Sequence, residues 1–229
     1  MERERMNSKE QGKISASLMC AGMKTLVQEI RVMERQQIEY LHVDVMDGEF
    51  VPNLGLGIDY INGIREMTDI PLDIHMMVNK PEDKLEWLKL KETDQVDIHY
   101  ESTIHVQRTL VRAKSYGCKV MLAINPGTPI YSVEELLDYI DGIIVLTVNP
   151  GFAGQRIVKS CIPKVGKIKK YLIEKGYGDL TLQVDGNINF ENAKLFREMG
   201  ADIFVAGSSS IFNKDDFEEN IIKYRNVIQ

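Results

Sequence analysis

The chain has 229 residues, of which 44% are hydrophobic and 27% charged, a length for one large domain or two small ones with ample apolar content for a core. A formal net charge of −6 without a clustered basic stripe argues against a nucleic-acid binder, so an anionic ligand would have to be met by backbone N–H groups or a metal. Three scattered cysteines, Cys20, Cys118 and Cys161, make neither a disulfide framework nor a zinc-ribbon spacing, which fits a reducing, cytoplasmic setting.

The opening residues 1–12 are charged, have no apolar stretch behind them and read as a polar extension, not a signal peptide; no apolar run reaches the length of a membrane span. Beyond them the first predicted strand is 14–19, followed by a helical pattern over 23–37. The second strand, 40–45, carries His42 and Asp44 at i and i+2, on one face of an otherwise apolar segment, and Asp47–Gly48 turns the chain away. A helix is predicted over 58–67, and the third strand, 72–78, holds His75. After a helix at 81–91 comes strand 96–100, closed by His99 and Glu101; His99 reads as a residue filling the interior. Helix 106–116, strand 119–124, helix 132–140 and strand 142–148 follow, and "NPGFAGQ" (149–155) leads to helix 159–176. Strand 180–185 ends in Asp185, Gly186 and Asn187, helix 190–199 follows, and strand 202–207 runs into "AGSSS" (206–210) before a helix at 215–227.

Eight strand–helix units with near-continuous apolar strands imply a parallel sheet, and eight in about 220 residues favour a single-domain (β/α)8 barrel over residues 13–229. An open doubly wound sheet is disfavoured because no G-x-G-x-x-G follows the first strand. In such barrels the functional rim lies at the C-terminal strand ends. His42, Asp44, His75 and Asp185 converge there. Two imidazoles and two carboxylates suit a divalent ion, Zn, Fe, Mn, Co or Mg, and their spacing does not choose among these. Three consecutive glycine-rich loops after the sixth, seventh and eighth strands read as a phosphate cup made of backbone and serine donors, since no Lys or Arg sits at their tips.

The stretches "LHVDVMDGEFVPN", "DIHMMVNKPE", "HVQRTL", "NPGTP", "VNPGFAGQ", "VDGNI" and "GADIFVAGSSSIF", in order from Ile14 to Phe212, resemble the ribulose-phosphate 3-epimerase family. The resemblance implies His42, Asp44, His75 and Asp185 as metal ligands, with Asp44 and Asp185 also the acid/base pair. It implies Ser17 and His75 as substrate contacts and Met46, Met77 and Leu146 (a methionine elsewhere in the family) as pocket lining. Phosphate would be held by Gly151, Phe152, Ala153, Gly154, Gly186, Asn187, Gly207 and Ser208. The implied reaction is inversion at C3 of a phosphorylated 2-ketose through an enediolate, in a cytoplasmic homo-oligomer, dimer or hexamer. "SLMC", Ala153 and Asn187 resemble the allulose-6-phosphate branch and favour the D-allulose 6-phosphate/D-fructose 6-phosphate pair; D-ribulose 5-phosphate/D-xylulose 5-phosphate is the alternative. A decarboxylase is disfavoured because "HVDVMDG" lacks the expected Asp-x-Lys-x-x-Asp run, and a non-catalytic phosphosugar sensor would need neither aspartate.

Overall fold

Along the strands, residues of one parity are aliphatic and those of the other are mixed, and the topology explains why. A computed structural model describes residues 11–213 and 216–229, and in it eight parallel strands close into a barrel in sequence order. They are β1 (Lys13–Ser17), β2 (Tyr40–Met46), β3 (Leu72–Met77), β4 (Gln95–His99), β5 (Lys119–Ile124), β6 (Gly142–Leu146), β7 (Thr181–Asp185) and β8 (Ile203–Ala206). The ring closes where β1 pairs with β8, Ile14 opposite Phe204 and Ala16 opposite Ala206. The expected (β/α)8 architecture is the one observed; the first ten residues of the expected polar extension lie outside the described residues.

Leu41 and Val43, Ile74 and Met76, Val96 and Ile98, and Leu182 and Val184 belong to an apolar layer shared with helix residues such as Ile30, Ile61 and Leu110. That layer glues the outer ring to the barrel through burial of apolar surface. The ring contains α1 (Leu26–Arg35), α2 (Ile58–Met67), α3 (Val106–Lys114), α4 (Cys161–Glu174), α5 (Phe190–Glu198) and α6 (Phe217–Ile228). The Asn189 side chain caps α5 by accepting from the Asn192 N–H, and Asp216 caps α6 by accepting from the Glu219 N–H, satisfying donors that a helix start leaves free. No helix among the described residues is long and apolar enough to cross a membrane, and all three cysteines are free thiols.

Two predicted α-helices take another form. Residues 81–91 form two short 3-10 segments, Pro81–Asp83 and Leu85–Leu88, flanked by left-handed Lys80 and Lys89, and the connection after β5 is a 3-10 segment, Ile130–Tyr139. The buried pairs Leu85/Leu88 and Val133/Leu136 recur at i, i+3, a spacing that three residues per turn satisfies as well as 3.6 does.

Inside the barrel the other parity divides in two. Met121, Ala123, Ile144, Leu146 and Val205 make an apolar half. Beside it lies a buried polar network. Asp73 Oδ2 accepts from Ser15 Oγ (2.6 Å), Gln183 Nε2 (2.8 Å) and His42 Nδ1 (2.7 Å), while its Oδ1 accepts from Gln95 Nε2 (2.7 Å). The charge of the adjacent His42 imidazole, then the hydrogen bonds from His42 and Ser15, overcome burial and hold Asp73 at about 2. Its neighbour Asp97 goes the other way: burial, then the Asp73 charge, hold it well above 3.8.

A carboxyl raised in the folded state binds more protons folded than unfolded, so above pH ~4 Asp97 makes stability fall as pH rises, by about 1.4 kcal/mol per unit until its folded pKa is passed. Asp97→Asn copies the neutral carboxyl and removes that slope. Denaturant unfolding from pH ~4 upward is expected to show the variant gaining on the parent as pH rises until the difference levels off; an advantage that shrinks with pH would contradict the raised Asp97 carboxyl.

Candidate active site

The rim at the C-terminal strand ends is built by the same alternation that fills the barrel. On β2, His42 and Asp44 point inward one above the other; β3 contributes His75 and β7 ends in Asp185. One ligand-type atom from each of these four lies within 4.8 Å of all the others. His42 Nε2 and His75 Nδ1 are each 3.3 Å from Asp44 Oδ1, and they lie 4.0 and 3.7 Å from Asp185 Oδ2. Both imidazoles are fully buried, and the two carboxylates reach an open cleft.

The imidazoles leave no freedom of orientation. His42 Nδ1 is bound to Asp73, so its Nε2 faces the cluster, where it is buried without a well-formed hydrogen bond. An orphaned buried nitrogen beside two carboxylates is what a cation-coordinating set looks like. The electrostatics agree. Burial opposes a proton on His42, but Asp73 and Asp44 outweigh it and hold the imidazole well above its usual range. The same excess of negative charge would hold a divalent ion in place of that proton. The His42, Asp44, His75 and Asp185 set therefore fits a divalent cation.

The two carboxyls are unequal. Burial raises both, but at Asp44 His42 and His75 prevail and hold it far below the usual carboxylate range. At Asp185 burial wins over the same imidazoles, helped by the Asp44 and Asp73 charges, and the group is pushed up. The two environments thus push the carboxyls in opposite directions.

Above the cluster, Ser17, Met77, Leu146, Phe152, Ala153, Gly154, Asn187 and Ser208 line the cleft, together with Gly151, Gly186 and Gly207. Ser17 donates to Asp44 Oδ2 at 3.3 Å. Met46 does not line the cleft; it packs with Val51 and Met77 in an apolar cluster that Met19 and Phe50 flank. Gly186 has φ +105°, and a Cβ there would sit 2.6 Å from Val148 Cγ2 and 2.9 Å from its backbone N, so only glycine allows the β7 loop to cross under the β6 loop. Asn187 also has positive φ (54°), and its amide donates to the Gln155 carbonyl at 2.5 Å, tying the β7 loop to residues 149–155. Asn53 from the β2 loop donates to the Gly151 carbonyl at 2.7 Å, a second tie on the same segment.

Sequence reading missed part of the site. Cys20, Asn149 and Gln155 also line the cleft, and Asp73, Gln95, Asp97 and Gln183 form a buried polar network behind His42. The signal was present: "LDIH" and "QVDIH" alternate polar and apolar as "HVDV" does. His99 does fill the interior, as expected, yet its Nε2 is 2.8 Å from His75 Nε2, and burial pushes it down to about 4.

A barrel that presents two carboxyls shifted in opposite directions around a cation-type cluster, under a cup of glycine loops, has the parts for acid–base chemistry. The "Ribulose-phosphate 3 epimerase family" profile matches residues 13–212. Ribulose-phosphate 3-epimerase of Bacillus subtilis (strain 168) is 36% identical over 213 residues, 93% of this chain and 98% of that protein. The chloroplastic ribulose-5-phosphate-3-epimerase of Arabidopsis thaliana is 38% identical over 210 residues, 91% of this chain and 74% of that protein. Among solved structures, 3-hexulose-6-phosphate synthase from Salmonella typhimurium superimposes with a TM-score of 0.70 at 16% identity, covering 94% of this chain and 98% of that one, a likeness of fold. The chain belongs to the ribulose-phosphate 3-epimerase family and is an isomerase of the epimerase class.

Proposed function

We propose that the chain inverts C3 of a phosphorylated 2-ketose, interconverting D-ribulose 5-phosphate and D-xylulose 5-phosphate. The observation that carries this is the pair Asp44 and Asp185, their pKa values pushed in opposite directions, at the base of one cleft whose wall is the glycine loops. The C3 proton is acidic because the adjacent C2 carbonyl spreads the resulting charge into an enediolate. One aspartate takes that proton, and the other delivers one to the opposite face; in the reverse direction they exchange roles. His42, Asp44, His75 and Asp185 would hold a divalent ion, which would supply Lewis-acid stabilisation of developing negative charge. Ser17 holds Asp44 Oδ2, and the loops carrying Gly151 to Gly154, Gly186, Asn187, Gly207 and Ser208 bind the phosphate through backbone and hydroxyl donors. Met77 and Leu146 keep bulk water from the reacting carbon.

The relatives carry the ribulose-phosphate name, which supports the five-carbon pair over the six-carbon one that the sequence alone favoured. Ala153 and Asn187, both on the cleft wall, keep D-allulose 6-phosphate as the second reading. The deciding measurement is kcat/KM on both ketose phosphates in deuterated water. The expected result is a higher value for ribulose 5-phosphate, with solvent deuterium at C3 of the product. A higher value for allulose 6-phosphate would reverse the substrate assignment, and label-free product would sink the proton-transfer chemistry.

A further inference from the structure

Each imidazole of the cluster has two ring nitrogens, and the structure uses them in opposite senses. His42 gives Nδ1 to Asp73 and turns Nε2 to the cluster. His75 turns Nδ1 to Asp44 and Asp185 and sets its Nε2 2.8 Å from Nε2 of His99. Two ring nitrogens at that distance form a hydrogen bond only when one carries the proton and the other the lone pair. For His75 Nδ1 to offer a lone pair to a cation, its proton must sit on Nε2, and His99 Nε2 must be the acceptor. His99 then carries its own proton on Nδ1, which is buried without a well-formed hydrogen bond and has Glu101 Oε2, 3.4 Å away, as its neighbouring acceptor.

The chain of contacts continues outward. Glu101 Oε1 accepts from the Asn125 N–H (3.0 Å) and from the Thr128 hydroxyl, both in the "NPGTP" loop after β5. Lys164 of α4 steadies that loop by donating to the carbonyls of Asn125 (2.7 Å) and Pro126 (3.3 Å). The Phe50 ring packs on His99 with 4.8 Å between centroids. A histidine that merely filled the barrel would have no need of a carboxylate clasped in place at its far nitrogen.

We infer that His99 and Glu101 are positioning residues that hold His75 as its Nε2–H tautomer, so that Nδ1 presents its lone pair to the metal. The inference rests on the proposed metal-binding role of the cluster. It also gives the "NPGTP" loop a purpose, because the Asn125 amide and the Thr128 hydroxyl fix the last member of the relay. Supporting partners behind a metal-ligating histidine typically govern about 10–100-fold in metal affinity.

Two measurements test it. Long-range proton–nitrogen NMR of the unmodified chain, chelator-treated and above neutral pH, is expected to show Nε2–H on His75 and Nδ1–H on His99; the reverse pair of tautomers overturns the relay. Zn²⁺ affinity is then measured by chelator competition for the parent, His99→Leu and His99→Gln. Leucine removes the acceptor and is expected to weaken Zn²⁺ roughly 10–100-fold. Glutamine can offer its carbonyl to the His75 N–H and is expected to recover most of that loss. Parental affinity in His99→Leu, whatever its melting temperature, would show that His99 acts through packing alone. A parent that binds no Zn²⁺ while showing the expected tautomers would overturn the metal reading and leave the relay standing as a hydrogen-bond chain.

Discussion

Asp44→Asn and Asp185→Asn are each expected to fold as the parent does and to lose about 10²–10⁴-fold in kcat, the worth of one positioned acid or base. That loss corresponds to about 3–5 kcal/mol of barrier. Asparagine matches aspartate in shape, so at position 44 the contacts to Ser17, His42 and His75 keep their geometry while the charge and the basic oxygen disappear. At position 185 asparagine resembles the protonated carboxyl that burial favours, but it can neither deliver nor recover a proton. The two variants also differ in a way that a general loss of folding would not produce. With carboxylates serving opposite faces, each variant retains one. Deuterium exchange at C3 is therefore expected to persist from one epimer in Asp44→Asn and from the other in Asp185→Asn, while net epimerisation is lost in both. Full turnover in either, confirmed on protein with parental circular dichroism, would remove that residue from the mechanism.

Stripping divalent metal is expected to have the second large effect. Dialysis against a strong chelator should bring turnover to background, and a divalent ion should restore it. A second readout is independent of turnover. The fold keeps Asp44, Asp73 and Asp185 around His42 and His75 at the centre of the barrel, and a cation that binds this arrangement only when folded stabilises it. At 100 times the dissociation constant the gain is about 2.7 kcal/mol. For a chain of this size that is a rise in melting temperature of roughly 5–10 °C over the metal-depleted protein. Retention of full activity with no metal bound would exclude the Lewis-acid role and leave the two carboxyls to stabilise the enediolate unaided.

Much of this molecule is visible in its amino-acid order because both relevant periodicities are short. Alternation at two placed His42 and Asp44 on one face, and the run of strand and helix patterns counted to eight. The glycine loops, too, are legible as "GFAG", "DGN" and "AGS", since a backbone with positive φ, as at Gly151 and Gly186, needs glycine or a close substitute such as Asn187.

Where periodicity is shared by two structures, order alone does not choose between them. Leu85/Leu88 and Val133/Leu136 fit an α-helix and a 3-10 helix equally, and only packing against the barrel settled the form. Reading the strands as near-continuous apolar runs likewise hid the buried polar network, although Asp73, Gln95 and Asp97 alternate as plainly as His42 and Asp44.

Chain order by itself determined the eight units, the parity of each strand and the residue types at its C-terminal end, since these depend on neighbours a few positions apart. Barrel closure decided the rest. It set Asp44 and Asp185, 141 positions apart in the numbering, within reach of the same two imidazoles. It also placed Asp73 behind His42 and His99 behind His75, and pushed the pKa of Asp44 down and that of Asp185 up. Those properties arise from burial and from charges a few ångströms away across the barrel, and such distances exist only once the ring is closed.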